Sequence, residues 1–406
     1  MNAEVVVLDV SGISPSECVR QIHAAQAAGR VPVAAMPGVA AALLEEAARV
    51  AGLWAAAAPG DPLMVLPTSG STAAPRALLR TASSWTRSFA AFSAETGIGP
   101  GDVAWVPGGA GSTMALFAAW HARACGLDVV ATGPWRGVPA AGAIREASVV
   151  QCVPTVLEDV IAARERGGVP RLRLAVVAGG ALTGELRRRA LATGLDVVEY
   201  YGAAETSFVA IGRDGLRPFP GVEVRSAETV LWCRSPYLAL AGLGEQGSFR
   251  LDPDGWASVG DRGIVDGDGV LRVHGRNAGL LVGGHVVMAD DVERVLREVP
   301  GVLDVVCLGR PDPRLGEHVV AVVRLALGAG AGPGPACEGS SSRQAVAALR
   351  AAARRGLPSA ARPRRFIVAE DLPRTDGGKV ARAVLARSLG LRLPSAGTSA
   401  GVSADA

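Results

Sequence analysis

The spacing of apolar positions along the chain changes character twice. From about residue 63, short continuous apolar runs alternate with stretches of helical period. "LMVLP", "DVAWVP", "LDVVAT", "LRLAVVAGG" and "LDVVEYYG" read as strands; residues near 81–95, "STMALFAAWHARACG" and "TGELRRRALATG" read as helices. Unbroken apolar runs fit strands buried on both faces, so the spacing predicts a parallel sheet covered by helices on either side. After about residue 217 short alternating strands with turn residues between them take over ("GVEVRSAETVLWCRSP", "GSFRLDPDGWASVGD", "RGIVDGDGVLRVHGR"). That is the pattern of an antiparallel β subdomain, with "DGDG" at 266–269 as a hairpin turn. From Asp290 a third pattern predicts a compact α+β unit: a helix over "DDVERVLREVPG", strands at "VLDVVCLG" and "HVVAVVRLAL", a helix near 343–356 and a strand at "RRFIVAE". The Gly/Pro/Ser run 328–342 reads as a loop and residues 391–406 as a disordered tail. "VAAALLEEAARVAGLWAAAA" is broken by charge and reads as an amphipathic helix rather than a membrane span.

At 406 residues the chain exceeds one folding unit and predicts two or three domains. A hydrophobic share of 49% against 19% charged residues supports large cores and excludes a disordered chain. The net charge of +3 is too balanced for a nucleic-acid or acidic-membrane partner. Lysine is nearly absent, and the arginines are scattered as on a solvated surface. The six cysteines (Cys18, Cys125, Cys152, Cys233, Cys307, Cys337) never approach CxxC spacing and histidine is sparse, so no Cys/His metal set is expected. The thiols read as reduced and mostly buried. "MNAEVVVLDVSG" lacks the basic segment and long apolar core of a signal peptide, and a cytoplasmic location is expected.

"GLGEQG" at 242–247 matches GxGxxG, but no helix follows, and it reads as a turn in a β meander. "GGALTGE" lacks the lysine of a Walker loop, and "GGKVAR" lacks a hydroxyl residue after its lysine. HExxH and GxSxG do not occur. Four other stretches stand out. "LPTSGSTAAPRALLR" at 66–80 crowds hydroxyls and a glycine into a loop suited to an anion, ahead of a helix-capable stretch. "YYGAAETS" at 200–207 ends a strand, "VGDRG" and "HGR" bracket a hairpin, and "LPRTDGGKVAR" at 372–382 is a basic segment with a Gly-Gly turn.

In order, these stretches resemble the phosphate loop TSGSTGxPKG, the YGxTE motif, the Gly-Asp and Gly-Arg motifs and the PxTxxGKxxR motif of the adenylate-forming superfamily, closest to short bacterial acyl-CoA synthetases. The resemblance spans roughly residues 63 to 390. It implies an α/β adenylate-forming fold. A large N-terminal AMP-binding domain, 1–275, is shortened at its front and carries the β subdomain at 217–275. A small mobile C-terminal α+β cap follows at 276–390.

The chemistry it implies is the joining of a carboxylate to the α-phosphate of ATP, then transfer of the acyl group to coenzyme A. Thr68, Ser69, Gly70, Ser71 and Thr72 would cradle the β- and γ-phosphates, with Arg76 beside them. Glu205, with Thr72, would bind Mg²⁺ as hard oxygen ligands. Tyr201 would stack on the adenine, next to Gly202, Ala204, Gly180 and Ala181. Asp261 would accept the ribose hydroxyls, and Arg276 would meet the ribose or phosphate. Lys379 would bridge the carboxylate and the α-phosphate. Gly109, Met114, Gly179 and Ala203 would line an acyl pocket within 108–120, 179–181 and 201–203, stretches free of Lys and Arg, so an apolar fatty or aryl acid is expected.

The chain departs from the pattern at Ala73, Arg76 and Ala204, where the family has Gly, Lys and a small hydroxyl residue, and at Ala278, where it has a polar hinge residue. Two further functions stay open. One is an o-succinylbenzoate–CoA ligase; the other is a catalytically weak acyl- or nucleotide-binding paralogue. The thiol acceptor is CoA or an acyl carrier protein.

Overall fold

The computed structural model describes residues 3–35, 41–57, 60–67, 76–139, 144–244, 249–276, 278–326 and 338–396. In chain order the elements begin β1 (Val5–Asp9), α1 (Pro15–Ala27), β2 (Val31–Ala35), α2 (Ala41–Ala57), β3 (Leu63–Pro67), β4 (Arg76–Thr81), α3 (Ser83–Thr86) and α4 (Phe89–Thr96). Then come β5 (Val103–Pro107), α5 (Thr113–Ala124), β6 (Asp128–Gly133), β7 (Val149–Cys152), α6 (Pro154–Glu165), β8 (Leu174–Val177), α7 (Gly184–Ala192) and β9 (Asp196–Ala203). The β-rich stretch holds β10 (Ser207–Gly212), β11 (Arg217–Pro218), β12 (Glu223–Ala227), β13 (Val230–Arg234), β14 (Ala241–Gly244), β15 (Arg250–Leu251), β16 (Ala257–Ser258), β17 (Asp261–Val265) and β18 (Leu271–Arg276). Last are β19 (Ala278–Val282), β20 (His285–Met288), α8 (Ala289–Arg297), β21 (Val302–Asp312), β22 (Gly316–Leu325), α9 (Glu338–Gly356), β23 (Arg365–Ala369), α10 (Arg382–Leu389) and β24 (Ser395–Ala396).

The chain divides into two compact units. The first is Met1–Arg272 together with Arg374–Lys379; the second is Val273–Pro373 with Val380–Ala406.

In the first unit the main sheet runs β11-β10-β9-β8-β7-β5-β6, with β5 to β9 parallel and β10 and β11 antiparallel at one side. β7 and β8 are buried at every position, as continuous apolar runs require. Local signals set the helices. Ser112 caps α5 by accepting from Ala115 N, Thr183 caps α7 by accepting from Leu186 N, and Pro154 opens α6. The main core packs Val150, Val156, Leu157, Ile161, Ala175 and Val197.

A second sheet, β1-β2-β3-β4-β14, lies ahead of and around the expected phosphate loop. It corrects two expectations. The stretch after the loop is not helical at first: Arg76–Thr81 is a strand, paired antiparallel from Leu63↔Thr81 to Pro67↔Ala77, and helix starts only at Ser83. The first half of "GLGEQG" is β14, paired with β4, and not a turn; residues 245–248 lie outside the described ones. The antiparallel subdomain forms as β15-β16-β13-β17-β18 with β12 on β13. Its 266–269 turn is closed by Asp266 N donating to Val270 O (3.0 Å) and Gly269 N to Asp266 O (3.0 Å).

The second unit is a sheet ordered β20-β19-β22-β21, with β23 on β22 and β24 on β19, packed with α8 and α9 around Val292, Leu296, Val305, Val323 and Leu349. Residues 391–396, expected within a disordered tail, pair instead: Arg392 exchanges backbone hydrogen bonds with Gly309 (2.7 and 2.9 Å), and Ser395 and Ala396 pair with Gly279 and Ala278. Of the described cysteines, Cys18, Cys152, Cys233 and Cys307 are buried and Cys125 is half-buried, all as free thiols. No helix among the described residues is long and apolar enough to cross a membrane.

Candidate active site

Parallel strands β5, β7, β8 and β9 bring their C-terminal ends to one rim, where open α/β sheets bind ligands. Within the first unit, the segment Arg374–Lys379 is lodged against this rim. It is a tight loop in which Thr375 N donates to Lys379 O (2.7 Å) and Gly378 N to Thr375 O (2.8 Å), with Gly378 at φ +82°. Two further bonds hold it, Trp135 N to Asp376 O (3.0 Å) and Thr155 Oγ1 to Gly378 O (2.7 Å).

Lys379 passes directly over Gly179. A Cβ built on Gly179 would lie 2.4 Å from Lys379 Cε and 2.7 Å from Nζ, and Gly179 itself sits at φ +77°. The positive φ favours glycine, and its missing Cβ leaves the end of the lysine where it lies. Across the loop the approach is looser: a Cβ on Gly109 would meet Asp376 Oδ2 at 3.7 Å, and one on Gly377 would meet Ser112 Oγ at 3.4 Å, both ordinary contacts. Gly180 and Ala181 are exposed in the loop between β8 and the α7 cap. Met114 is half-buried and packs against the main core, as does Trp135.

Tyr201 and Gly202 lie near the end of β9, and the tip of the β9–β10 hairpin carries Ala204, Glu205 and Thr206. The motif glycine has a steric cause, since a Cβ on Gly202 would fall 1.8 Å from Ser207 O. The Tyr201 hydroxyl donates to Asp261 Oδ2 at 2.8 Å, joining the strand end to the first residue of β17; Asp261 is buried. Ala203 N donates to Thr206 Oγ1 (3.1 Å), and Ala239 N donates to Glu205 O (2.8 Å), leaving a half-buried Glu205 side chain at the tip.

Arg80, on β4, was not singled out from the sequence. It is 1% exposed and stacks 5.1 Å from the Trp85 ring centre. Its guanidinium donates to Ser84 Oγ (3.0 Å), Ala204 O (3.2 Å), Ser207 Oγ (2.8 Å) and Tyr237 O (2.8 Å). Burial pulls it down to about 9, and the neighbouring Glu205 carboxylate opposes that shift. The signal was a charge inside the apolar run "RALLRT".

Thr68, Ser69, Gly70, Ser71, Thr72 and Ala73 lie outside the described residues, as do the side chains of Arg76, Arg276 and Ala278. The backbone places Arg76 at the start of β4 and Arg276 at the end of β18. The structure therefore brings together Lys379, Gly179 and Gly109 around one loop, and Tyr201 with Asp261.

The family model for AMP-binding enzymes matches residues 2–237, more than half of the chain. The chain belongs to that family. A second model, for the C-terminal domain of AMP-binding enzymes, matches residues 291–379. As a member of the adenylate-forming superfamily it is an acid–thiol ligase. It is 29% identical over 376 residues to a fatty acid–[acyl-carrier-protein] ligase, MmaC, of Mycobacterium marinum, covering 80% of this chain and 68% of that protein. It is 29% identical over 350 residues to an uncharacterized acyl–CoA ligase, YhfT, of Bacillus subtilis, with the same coverage, 80% and 68%. Among solved structures, ATP-bound MatB from Rhodopseudomonas palustris has the same fold, with a TM-score of 0.72 at 20% identity over 96% of this chain and 89% of that one.

The described residues suit a nucleotide. Asp261 is a buried carboxylate, an acceptor matched to sugar hydroxyls, and the bare Gly179 leaves Lys379 a path along the strand ends. They also suit Mg²⁺ of the kind held by one carboxylate plus substrate phosphates, for which Glu205 is available. No cluster of three or more His, Cys, Asp or Glu side chains able to hold a metal occurs among the described residues.

Proposed function

We propose that this ligase activates an apolar fatty or aryl carboxylic acid with ATP, forming acyl-AMP and pyrophosphate, and passes the acyl group to the thiol of CoA. The observation that carries the reading is Lys379 laid over Gly179 at the strand ends. Lys379 is the only lysine in the chain, in a sequence whose Lys and Arg total 41. A composition that elsewhere uses arginine for positive charge keeps a lysine where a compact, movable ammonium is required, because a planar guanidinium cannot bridge two oxygens of different groups in the same way.

In this reading Lys379 holds the substrate carboxylate against the α-phosphate. That turns a bimolecular encounter into an oriented one and offsets charge as it moves onto the leaving pyrophosphate. Asp261 holds the ribose, with Tyr201 beside it; Arg276 would meet the ribose or phosphate. Glu205 and Thr72 would hold Mg²⁺, which would supply charge neutralisation of the phosphates, and Thr68–Thr72 and Arg76 would supply hydroxyl, N–H and cationic contacts to them. Gly109, Met114, Gly179 and Ala203 contribute no charge to the acyl side, which favours an apolar acid. Retention of Lys379, Glu205 and Asp261 supports an active enzyme over a binding paralogue.

The test is carboxylate-dependent pyrophosphate release across short, medium and long fatty acids, aryl acids and o-succinylbenzoate, each with CoA, with an acyl carrier protein and with neither. Turnover on fatty or aryl acids with CoA is expected. Turnover confined to o-succinylbenzoate, or to the carrier protein, replaces that part of the reading. Lys379→Ala is expected to abolish pyrophosphate release and to spare thiol acylation from supplied acyl-AMP; equal loss of both removes Lys379 from the first step.

A further inference from the structure

Arg80 is costly where it stands. A fully buried cation loses its hydration, and an apolar residue of similar volume is often neutral or stabilising in such a place. Packing alone does not account for it. No ion pair to Arg80 is found among the described residues; its acceptors are two hydroxyls and two carbonyls. Two of those four, Ala204 O and Ser207 Oγ, flank Glu205 on either side along the chain. A third, Tyr237 O, also accepts from Ser207 Oγ (2.8 Å), so one guanidinium and one hydroxyl tie the hairpin tip to the segment behind it. Arg80 itself is carried on β4, whose first residue, Arg76, comes four positions after Thr72 in the sequence.

We infer that Arg80 is a positioning residue for the nucleotide step: it locks the 204–207 hairpin tip to β4, so that Glu205 is held where it can serve the phosphates of ATP. This rests on the reading of the site as an ATP site and adds a specific support to it. The backbone carbonyl of Ala204, beside Glu205, accepts from Arg80 Nη1 at 3.2 Å. Hydrogen bonds to a charged group contribute more than neutral ones.

The experiment compares the parent with Arg80→Met, which keeps length and apolar contact with Trp85, and with Ser207→Ala, which removes one of Arg80's anchors on the tip. ATP affinity in the presence of Mg²⁺ is measured by calorimetry without any acid. Pyrophosphate release and thiol acylation from supplied acyl-AMP are measured separately. Arg80→Met is expected to weaken ATP binding about tenfold or more and to raise the Mg²⁺ concentration for half-maximal release, and Ser207→Ala to do the same by about threefold. Transfer from acyl-AMP should stay within about twofold in both, since that half-reaction needs neither phosphate loop nor metal. A general structural role would instead lower both half-reactions together, and that outcome overturns the inference, as does unchanged ATP affinity in a folded Arg80→Met protein. If Arg80→Met does not fold, Ser207→Ala decides, and unchanged affinity there is equally fatal. Should the parent bind ATP yet activate none of the acids, the substrate reading falls while the affinity comparison still judges Arg80.

Discussion

Gly179 shows how much of this site depends on single atoms. Its positive φ and its missing Cβ serve different ends, the first turning the chain after β8 and the second clearing the path of Lys379. Gly179→Ala would place a methyl 2.4 Å from Lys379 Cε, a distance at which one group must move. Because the flexible lysine is the easier of the two to displace, the change should act on chemistry before it acts on folding. We expect pyrophosphate release to fall at least tenfold while acylation from supplied acyl-AMP changes little. Melting temperature should drop modestly, since left-handed backbone at a non-glycine residue costs roughly 1–2 kcal/mol. Equal loss in both half-reactions would show that Gly179 matters to something other than the lysine. Gly202 is a different case, because its neighbour is backbone (Ser207 O, 1.8 Å from a Cβ) and cannot move aside; substitution there should damage the hairpin itself.

Among elements, α5 links the site to the interior. Its N-terminus is capped by Ser112 of the glycine-rich loop, and its last turn holds His121 among Phe89, Phe92 and Phe117. His121 Nε2 lies 2.9 Å from Ser93 Oγ and 3.4 Å from the half-buried Cys125 Sγ. Burial pushes its imidazole down to about 4. Above the ordinary histidine range of about 6.5 both folded and unfolded chains are neutral there, and the residue costs nothing. As pH falls below that value the unfolded chain takes up a proton and the folded one does not until about 4, so stability is lost across that window. The loss is at most about 3 kcal/mol. The melting temperature of His121→Asn should therefore fall less steeply than that of the parent between those two pH values. Parallel curves would assign the acid sensitivity to other groups. β4 teaches the opposite lesson about elements. "RALLRT" suits helix as well as strand, and its pairing with β3 and β14 decides between them.

For the molecule as a whole, the second unit has what an independent domain needs. It has a core around Val292, Leu296, Val323 and Leu349, and a second cluster of Val306, Leu308, Leu372 and Leu385. It also has a buried Glu293 that accepts from Arg382 (2.6 and 2.7 Å), Arg297 (3.2 Å) and Cys307 N (2.8 Å). We expect residues 273–396 expressed alone to unfold cooperatively on heating, followed by circular dichroism. A version ending at residue 389 should melt lower, because it loses the Arg392–Gly309 bridge and the β24 pairing. A gradual, non-cooperative melt of the longer piece would show that this unit does not hold its fold by itself.

The sequence alone determined the order of things: which strands are buried on both faces, where the antiparallel region begins, and which short motifs carry a lysine, a carboxylate or a bare glycine. These are local matters of period, turn chemistry and residue type, and the family likeness follows from their order. The sequence could not show that Gly179 lies under Lys379, 200 residues away, nor that Tyr201 meets Asp261. The helices expected near 81–95 form from Ser83, but the helix-capable start of that stretch, Arg76–Thr81, and the residues from 391 expected to be disordered are held by long-range strand pairing and hydrogen bonds that won over weak local preference. The partners of Arg80 were invisible for the same reason. An arginine in an apolar run carries no local sign of its partners, and its four acceptors come from three separate stretches of the chain. Only the packed fold brings them within reach of one guanidinium, because a buried charge must find its hydrogen bonds wherever the tertiary structure places them.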